Sequence, residues 1–322
     1  MTMDQDSVTM QQRIVGLKRA APYLRMYKGK IFVVKIGGEI IEDQAVLDNF
    51  SEQVALLHRL GIHVVLVHGG GALATELATK LGIPVEMVNG RRITNAETLE
   101  VAKMVFNKLN TDLLASLRKY GVYGVGLSGI DGGLIHASKR PVKRLKDATS
   151  GEERDVDFGF VGDVSEVNPS VIHHLIGGEF IPVISSLAGG EENDIYNVNA
   201  DTIAVELTIA LNAEKLILMT GAPGVLKDAK DPSTLISHMT LAELDDVIAK
   251  SAKGGMVAKL QACSTALKRG VPRVHIISGV KADSLLVEIF TNEGSGTLIE
   301  INAPLAGQEA RNPTIPPQKV GP

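Results

Sequence analysis

Apolar positions fall into short continuous runs and into stripes of helical period, and the two alternate along most of the chain. Residues 31–38 read IFVVKIGG: four apolar residues, three of them β-branched, then Lys35, Ile36 and a glycine pair. Such a run predicts a strand buried on both faces, as in a parallel sheet. A second run, 64–67, leads into His68-Gly69-Gly70-Gly71. Between them Val46, Leu47, Phe50, Val54 and Leu57 mark one amphipathic helix from Gly38 to near Gly61. Residues 72–81 predict another helix, so the β-loop-α unit is repeated.

The pattern continues with a long helix opened by a Thr94/Glu97 capping box, with Val101, Met104, Val105, Leu109 and Leu117 inward. Residues 122–127 predict a strand. From Ser128 to about Val167 the pattern changes to short, glycine-punctuated β runs, including 134–137 and 158–167, and the charged stretch 143–157 between them reads as a mobile loop. Pro169, at a first helical position after Asn168, starts a short helix. Further strands are expected at 180–185, 215–219, 273–277 and 297–301, and helices at 200–211, from Thr240/Glu243 to Lys250, at 256–269 and at 283–290. Ahead of the first strand, Ser7 could cap a helix over about 8–27 with Ile14, Leu17, Ala21 and Leu24 on one face, kinked or broken at Pro22. The tail from Ala303 is Pro-rich and aperiodic and reads as disordered. This grammar predicts an α/β protein: one mostly parallel sheet sandwiched by helices, in two lobes.

Composition narrows the function. The net charge of −4 carries no polyanion-binding signature, which weakens nucleic-acid readings. The single Cys263 forbids an internal disulfide, and no run is long enough to span a membrane. A cytoplasmic location is expected. The histidines show no zinc-ligand spacing.

The candidate chemistry is phosphate chemistry. Gly37, Gly38, Gly69, Gly70 and Gly71 can offer backbone N–H donors at two strand ends. Lys35, a lysine within a buried strand, needs an open site and an anionic partner. Lys259, after Gly254-Gly255-Met256, can approach from another side, though by itself it reads equally as a solvated helix lysine. Asp201 follows Asn197-Val198-Asn199-Ala200 at a helix start, where complementing the helix dipole would also explain it. Arg92 can grip a carboxylate in a bidentate fashion, or be a surface arginine. No P-loop sequence and no early G-x-G-x-x-G is present.

Together VVKIGG, VLVHGGG, NGRRIT, FGFVGDV, YNVNAD, GGMVAK and EIFTNEGSGT, in this order from about residue 20 to 301, resemble the amino-acid kinase family, and within it the acetylglutamate kinases. The resemblance implies an αβα sandwich around a mostly parallel open sheet, with boundaries at 1–29 (N-terminal helical extension), 30–184 (amino-acid lobe and dimer contact), 185–302 (ATP lobe and effector site) and 303–322 (tail). It implies transfer of the γ-phosphoryl group of ATP, with Mg²⁺, to the side-chain carboxylate of N-acetyl-L-glutamate in arginine biosynthesis. Lys35 and Lys259 would stabilise the transferring group and Asp201 would hold both. Gly70, Gly71, Arg92, Asn197 and Asn199 would bind the amino acid, and Gly37, Gly38, Gly69, Thr220 and Gly221 the nucleotide phosphates.

The N-terminal helix and the stretch from His275 to Thr297 resemble the arginine-sensitive branch. That implies a homohexamer built as a trimer of dimers and an L-arginine site at Tyr23, His275, Glu288 and Gly294. Glu288 could equally be an ordinary exposed helix acid. A PII-type regulator binds some relatives. Three positions depart from the family: Glu39-Ile40-Ile41 where a small residue, Ala and Met are usual, Ala72 for a common proline, and Gly221 for the usual aspartate. Another amino-acid kinase, or a catalytically silent protein on this fold, remains open on these residues. The absence of an appended regulatory domain argues against aspartokinases.

Overall fold

The computed structural model describes residues 10–88, 91–146, 153–228, 230–250 and 255–302. Its centre is an eight-stranded sheet. In spatial order the strands are His238–Thr240, Thr297–Glu300, Arg273–Ser278, Lys215–Thr220, Ile31–Ile36, His63–His68, Ile181–Ser185 and Gly124–Leu127. Every neighbouring pair is parallel except Arg273–Ser278 with Thr297–Glu300. Strand Ile31–Ile36 therefore has partners from the first half of the chain on one side and from the second half on the other.

Successive side chains of a strand point to opposite faces, and the cores divide accordingly. Phe32, Val34, Leu66, Ile217 and Met219 pack on one face against the helices Gln44–Arg59 and Ala96–Lys119. Val33, Val65, Val67, Leu216 and Leu218 pack on the other against Ala200–Ala210 and Gly255–Lys268, where Cys263 is a buried core residue. The arrangement is an αβα sandwich.

Several local expectations are corrected. Thr94 does not cap the long helix; Asn95 does, its Oδ1 accepting from Thr98 N at 2.8 Å. The helix after Gly38 is two pieces, Gly38–Glu42 and Gln44–Arg59, because the Asp43 side chain accepts from Ala45 N and Val46 N and starts a new helix. Pro169 precedes the helix Ser170–Gly177 instead of opening it, with Asn168 Oδ1 accepting from Ser170 N. The Thr240/Glu243 box is present in both directions.

The charged stretch 143–157 contains a hairpin, Lys143–Lys146 with Glu153–Val156, whose opposite charges pair across the strands at Arg144 and Glu153. Met10–Tyr27 is one helix that continues through Pro22. The proposed cap at Ser7, Gly254 and the tail from Ala303 lie outside the described residues. No helix of the described residues is long and apolar enough to cross a membrane.

A second, four-stranded sheet was not anticipated as a unit. It runs Ile195–Asn197, Leu187–Gly189, Ile135–Lys139, Gly162–Val167. Phe160 O accepts from Asn197 N, and Ser186 O from Val198 N, so this sheet carries the YNVNAD segment to the carboxyl ends of the central strands.

Candidate active site

In open α/β sheets ligands settle outside the carboxyl ends of strands where the chain order reverses. Here a cleft of about 720 Å³ opens at that place. Lys35, Gly37, Gly38, Gly69, Gly70, Gly71, Arg92, Asn197, Asn199 and Asp201 all line it.

Lys35 is the fifth of six residues in its strand, and its Nζ lies 3.1 Å from Asp201 Oδ1. Asp201 stands in the first turn of Ala200–Ala210, and Lys259 Nζ reaches its Oδ2 at 2.9 Å and its Oδ1 at 3.1 Å. All three side chains are largely buried. Burial pushes the Lys35 ammonium below its ordinary range, and the Asp201 charge opposes that. Burial likewise penalises the Asp201 carboxylate, but Lys35 and Lys259 outweigh it and hold the carboxyl below the usual range. One carboxylate bound to two ammoniums leaves a net positive charge beside the cleft, which Lys35 and Asp201 line while Lys259 joins through Asp201.

The two glycine turns approach each other: a Cβ on Gly38 would stand 4.0 Å from Gly70 Cα. Gly71 opens the helix Gly71–Lys80, whose N-terminus favours an anion. Gly70 is glycine for a packing reason, since a Cβ there would lie 2.7 Å from Leu109 Cδ1 and 3.1 Å from Phe106. At Gly71 the same atom meets open space. Gly70→Ala is therefore expected to cost about 1–3 kcal/mol through overpacking. Thermal unfolding checks this: Tm should fall by several degrees in Gly70→Ala and stay put in Gly71→Ala.

Three polar side chains, Arg92, Asn197 and Asn199, line the cleft beside the glycine turns. Arg92 Nη2 donates to Gly71 O and Thr75 Oγ1, while its Nε is buried with no hydrogen-bond partner among the described residues. Burial lowers the guanidinium from its ordinary range, and the residue lines the cleft, where a guanidinium suits an anionic ligand. Asn199 uses its Oδ1 to cap the helix, accepting from Asp201 N and Thr202 N, so its Nδ2 is the atom left to donate. Asn197 Nδ2 lies 3.4 Å from Thr94 Oγ1.

Thr220 and Gly221 end the neighbouring strand and do not line the cleft. Thr220 Oγ1 is engaged in a turn with Ala222, and a Cβ at Gly221 would meet open space. Sequence reasoning missed His68, wholly buried, whose Nε2 lies 2.8 Å from Asn110 Oδ1 and whose Nδ1 lies 3.1 Å from Gly69 O. Burial pushes this imidazole down. Its place before three glycines was the available signal. Arg140, clamped by Asp163 at 2.6 Å in the cleft wall, gave no signal.

Away from the cleft, the four residues assigned to an effector gather where the N-terminal helix meets Ser284–Phe290. Tyr23 Oη donates to Asn292 Oδ1. Glu288 is only 3% exposed, so it is no ordinary surface acid. His275 Nδ1 lies 2.7 Å from its Oε1, and Ser295 N and Gly296 N donate to its Oε2 at 2.5 and 3.0 Å. Gly294, at φ 63°, turns that loop. Lys215, unforeseen and fully buried, sits 3.1 Å from His275 Nε2 and over the Tyr27 ring, and burial pushes it down to about 7.

Comparison with known proteins shows the family. The model of the amino acid kinase family matches residues 30–278. The acetylglutamate kinase of Myxococcus xanthus is 46% identical over 286 residues, 88% of this chain and 93% of its own. That of Methanocaldococcus jannaschii is 41% identical over 92% of this chain and 99% of its own. Among solved structures, smu.665 of Streptococcus mutans shares 26% identity at a TM-score of 0.67, covering 84% of this chain and 99% of that one. The N-acetylglutamate synthase of Neisseria gonorrhoeae, solved with coenzyme A and L-arginine, has the same fold at a TM-score of 0.78 and 24% identity, covering 90% of this chain and 66% of its own. The cleft lined by Lys35 and Asp201 at the carboxyl edge of this sheet, with Lys259 joined to it through Asp201, thus belongs to a chain of the amino acid kinase family, and within it of the acetylglutamate kinases.

Proposed function

We propose that the chain transfers the γ-phosphoryl group of MgATP to the side-chain carboxylate of N-acetyl-L-glutamate. The observation that carries this reading is the Lys35–Asp201–Lys259 ion triad beneath two glycine turns. Phosphoryl transfer needs alignment and charge neutralisation more than covalent help. Lys35 and Lys259 meet the negative charge of the transferring group from two sides, and Asp201 keeps both ammoniums in place. The N–H groups of Gly38, Gly70 and Gly71 donate to phosphate oxygens, with Gly37 and Gly69 allowing the close approach. Arg92 takes the α-carboxylate with its guanidinium, and Asn197 and Asn199 take the acetamido group. The attacking carboxylate is already ionised at neutral pH, so no general base is required.

Residues 30–184 would form the amino-acid side and 185–302 the nucleotide side. Thr220 and Gly221 belong to that nucleotide side, beyond the cleft itself. The described residues include no group of three or more His, Cys, Asp or Glu able to hold a metal. They do present a cleft carboxylate, Glu39, which suits a cation that arrives with the nucleotide. Glu39 would help to hold Mg²⁺ arriving with the nucleotide, and the ion would supply neutralisation of phosphate charge. The product is an acyl phosphate, so adding hydroxylamine to the full reaction should yield a hydroxamate. ADP release without hydroxamate would show that the acceptor is something other than a carboxylate.

A regulatory reading rests on a separate observation, the buried Glu288 at the contact of the N-terminal helix. We propose that L-arginine is a feedback effector whose guanidinium displaces part of the Glu288 network, with Tyr23, His275 and Gly294 around it. An effector acts only through unequal affinity for two states, so arginine would favour a state in which this closed cluster has opened. The apolar side chains Ile14, Val15 and Leu17 are exposed on the N-terminal helix. They would be buried between dimers in a ring of three. Removal of residues 1–27 is expected to give dimers that retain activity and ignore arginine. Light scattering with an arginine titration measures both, and a full-length dimer indifferent to millimolar arginine would end this proposal.

A further inference from the structure

Glu39 follows the first glycine pair, and its carboxylate folds back over that turn: a Cβ added to Gly37 would fall upon its oxygens. The side chain lines the same cleft as Lys35 and the Gly69–Gly71 turn, and its charge acts on the Lys35 ammonium. The other carboxylates of the cleft are committed. Asp201 is shared by two lysines, and Glu206 is paired with Arg269. An uncommitted carboxylate in a phosphate cradle has two opposite effects. It repels a bare polyphosphate, and it attracts one that carries a divalent cation between its phosphates.

We propose that Glu39 is a specificity-determining residue that makes the cleft select the metal-chelated nucleotide over the free one, by offering a carboxylate oxygen to the cation. This deepens the kinase reading above and rests on it. Glu39 is exposed, and an isosteric Glu39→Gln exchange removes the charge without disturbing packed neighbours.

Calorimetric titration of the full-length protein tests the proposal without any turnover. ATP is titrated once with EDTA and once with saturating MgCl₂, on the wild type, Glu39→Gln and Glu39→Ala. The preference for MgATP over free ATP should fall about tenfold in both variants, with free ATP binding more tightly and MgATP more weakly. An unchanged preference overturns the proposal. So does equal tightening of both forms, which would make Glu39 a simple competitor of the phosphates. If the wild type binds neither form, the kinase reading itself falls.

Discussion

Alanine in place of Lys35 or Lys259 is expected to lower kcat by roughly 10²–10³ while leaving KM nearly unchanged. The reason is the electrostatics of the triad. In the resting site each ammonium is partly neutralised by Asp201, at 2.9–3.1 Å. The γ-phosphate oxygens are charged already in bound ATP, and as the bond to the leaving oxygen breaks further negative charge develops there, so the attraction of the ammoniums grows towards the transition state. A low-dielectric, largely buried setting keeps that growth from being screened. Asp201→Asn should be damaging as well, since it keeps the shape and leaves two buried ammoniums facing each other. Steady-state kinetics with both substrates varied decide the matter. A lysine variant that changes KM only would place that lysine in ground-state binding, and wild-type turnover in Asp201→Asn would remove its organising role.

Unacetylated glutamate should be a poorer substrate than N-acetyl-L-glutamate by roughly 10⁴ in kcat/KM. The pocket presents Arg92 with an unmatched Nε, and an Asn199 whose oxygen is already used in capping. What remains to meet the ligand is the positive charge of Arg92, the Nδ2 donor of Asn199 and the Oδ1 acceptor of Asn197, whose own Nδ2 is held by Thr94. An acetamido oxygen and an α-carboxylate can accept from the first two. A free α-ammonium brings a cation and three more donors to the same place, leaving groups on both sides unpaired. Comparable kcat/KM for the two substrates would assign the chain to another acceptor within its family.

Much of the fold is legible in the sequence because a parallel sheet covered on both faces must be written as unbroken β-branched and aliphatic runs. Lys35 is the informative exception: its ammonium can be tolerated at that depth only with a carboxylate opposite. The glycine turns were readable as a cradle. That Gly70 is forced by Leu109 and Phe106 was not, since it depends on a helix that follows much later in the chain. Thr94 and Asn95 are both good capping residues, and only the backbone at Asn95 decides between them. The hairpin in 143–157 hid because opposite charges that alternate across two strands look, in one dimension, like a solvated run. Glu288 looked equally like a surface acid, and its burial follows from Ser295 and Gly296 folding over it. Arg140 and Asp163 meet through the second sheet, two of whose strands read as short β runs at 134–137 and 158–167 while their joining with Leu187–Gly189 and Ile195–Asn197 did not.

The placement of Ile31–Ile36 between partners from both halves of the chain has a consequence for biosynthesis. Its strand pairs with Lys215–Thr220, and Lys35 finds Asp201 and Lys259 only from that later half. During translation the first glycine turn emerges early, yet its lysine lacks a counter-ion until most of the polypeptide has left the ribosome. Distant pairings of this kind make folding slow, because the loop-closure cost comes before the contacts that offset it. A stalled or truncated nascent chain would therefore hold a buried-type strand with an unneutralised ammonium and an unpaired edge. Such a chain is inactive and exposes the surface on which chaperones and neighbouring chains act.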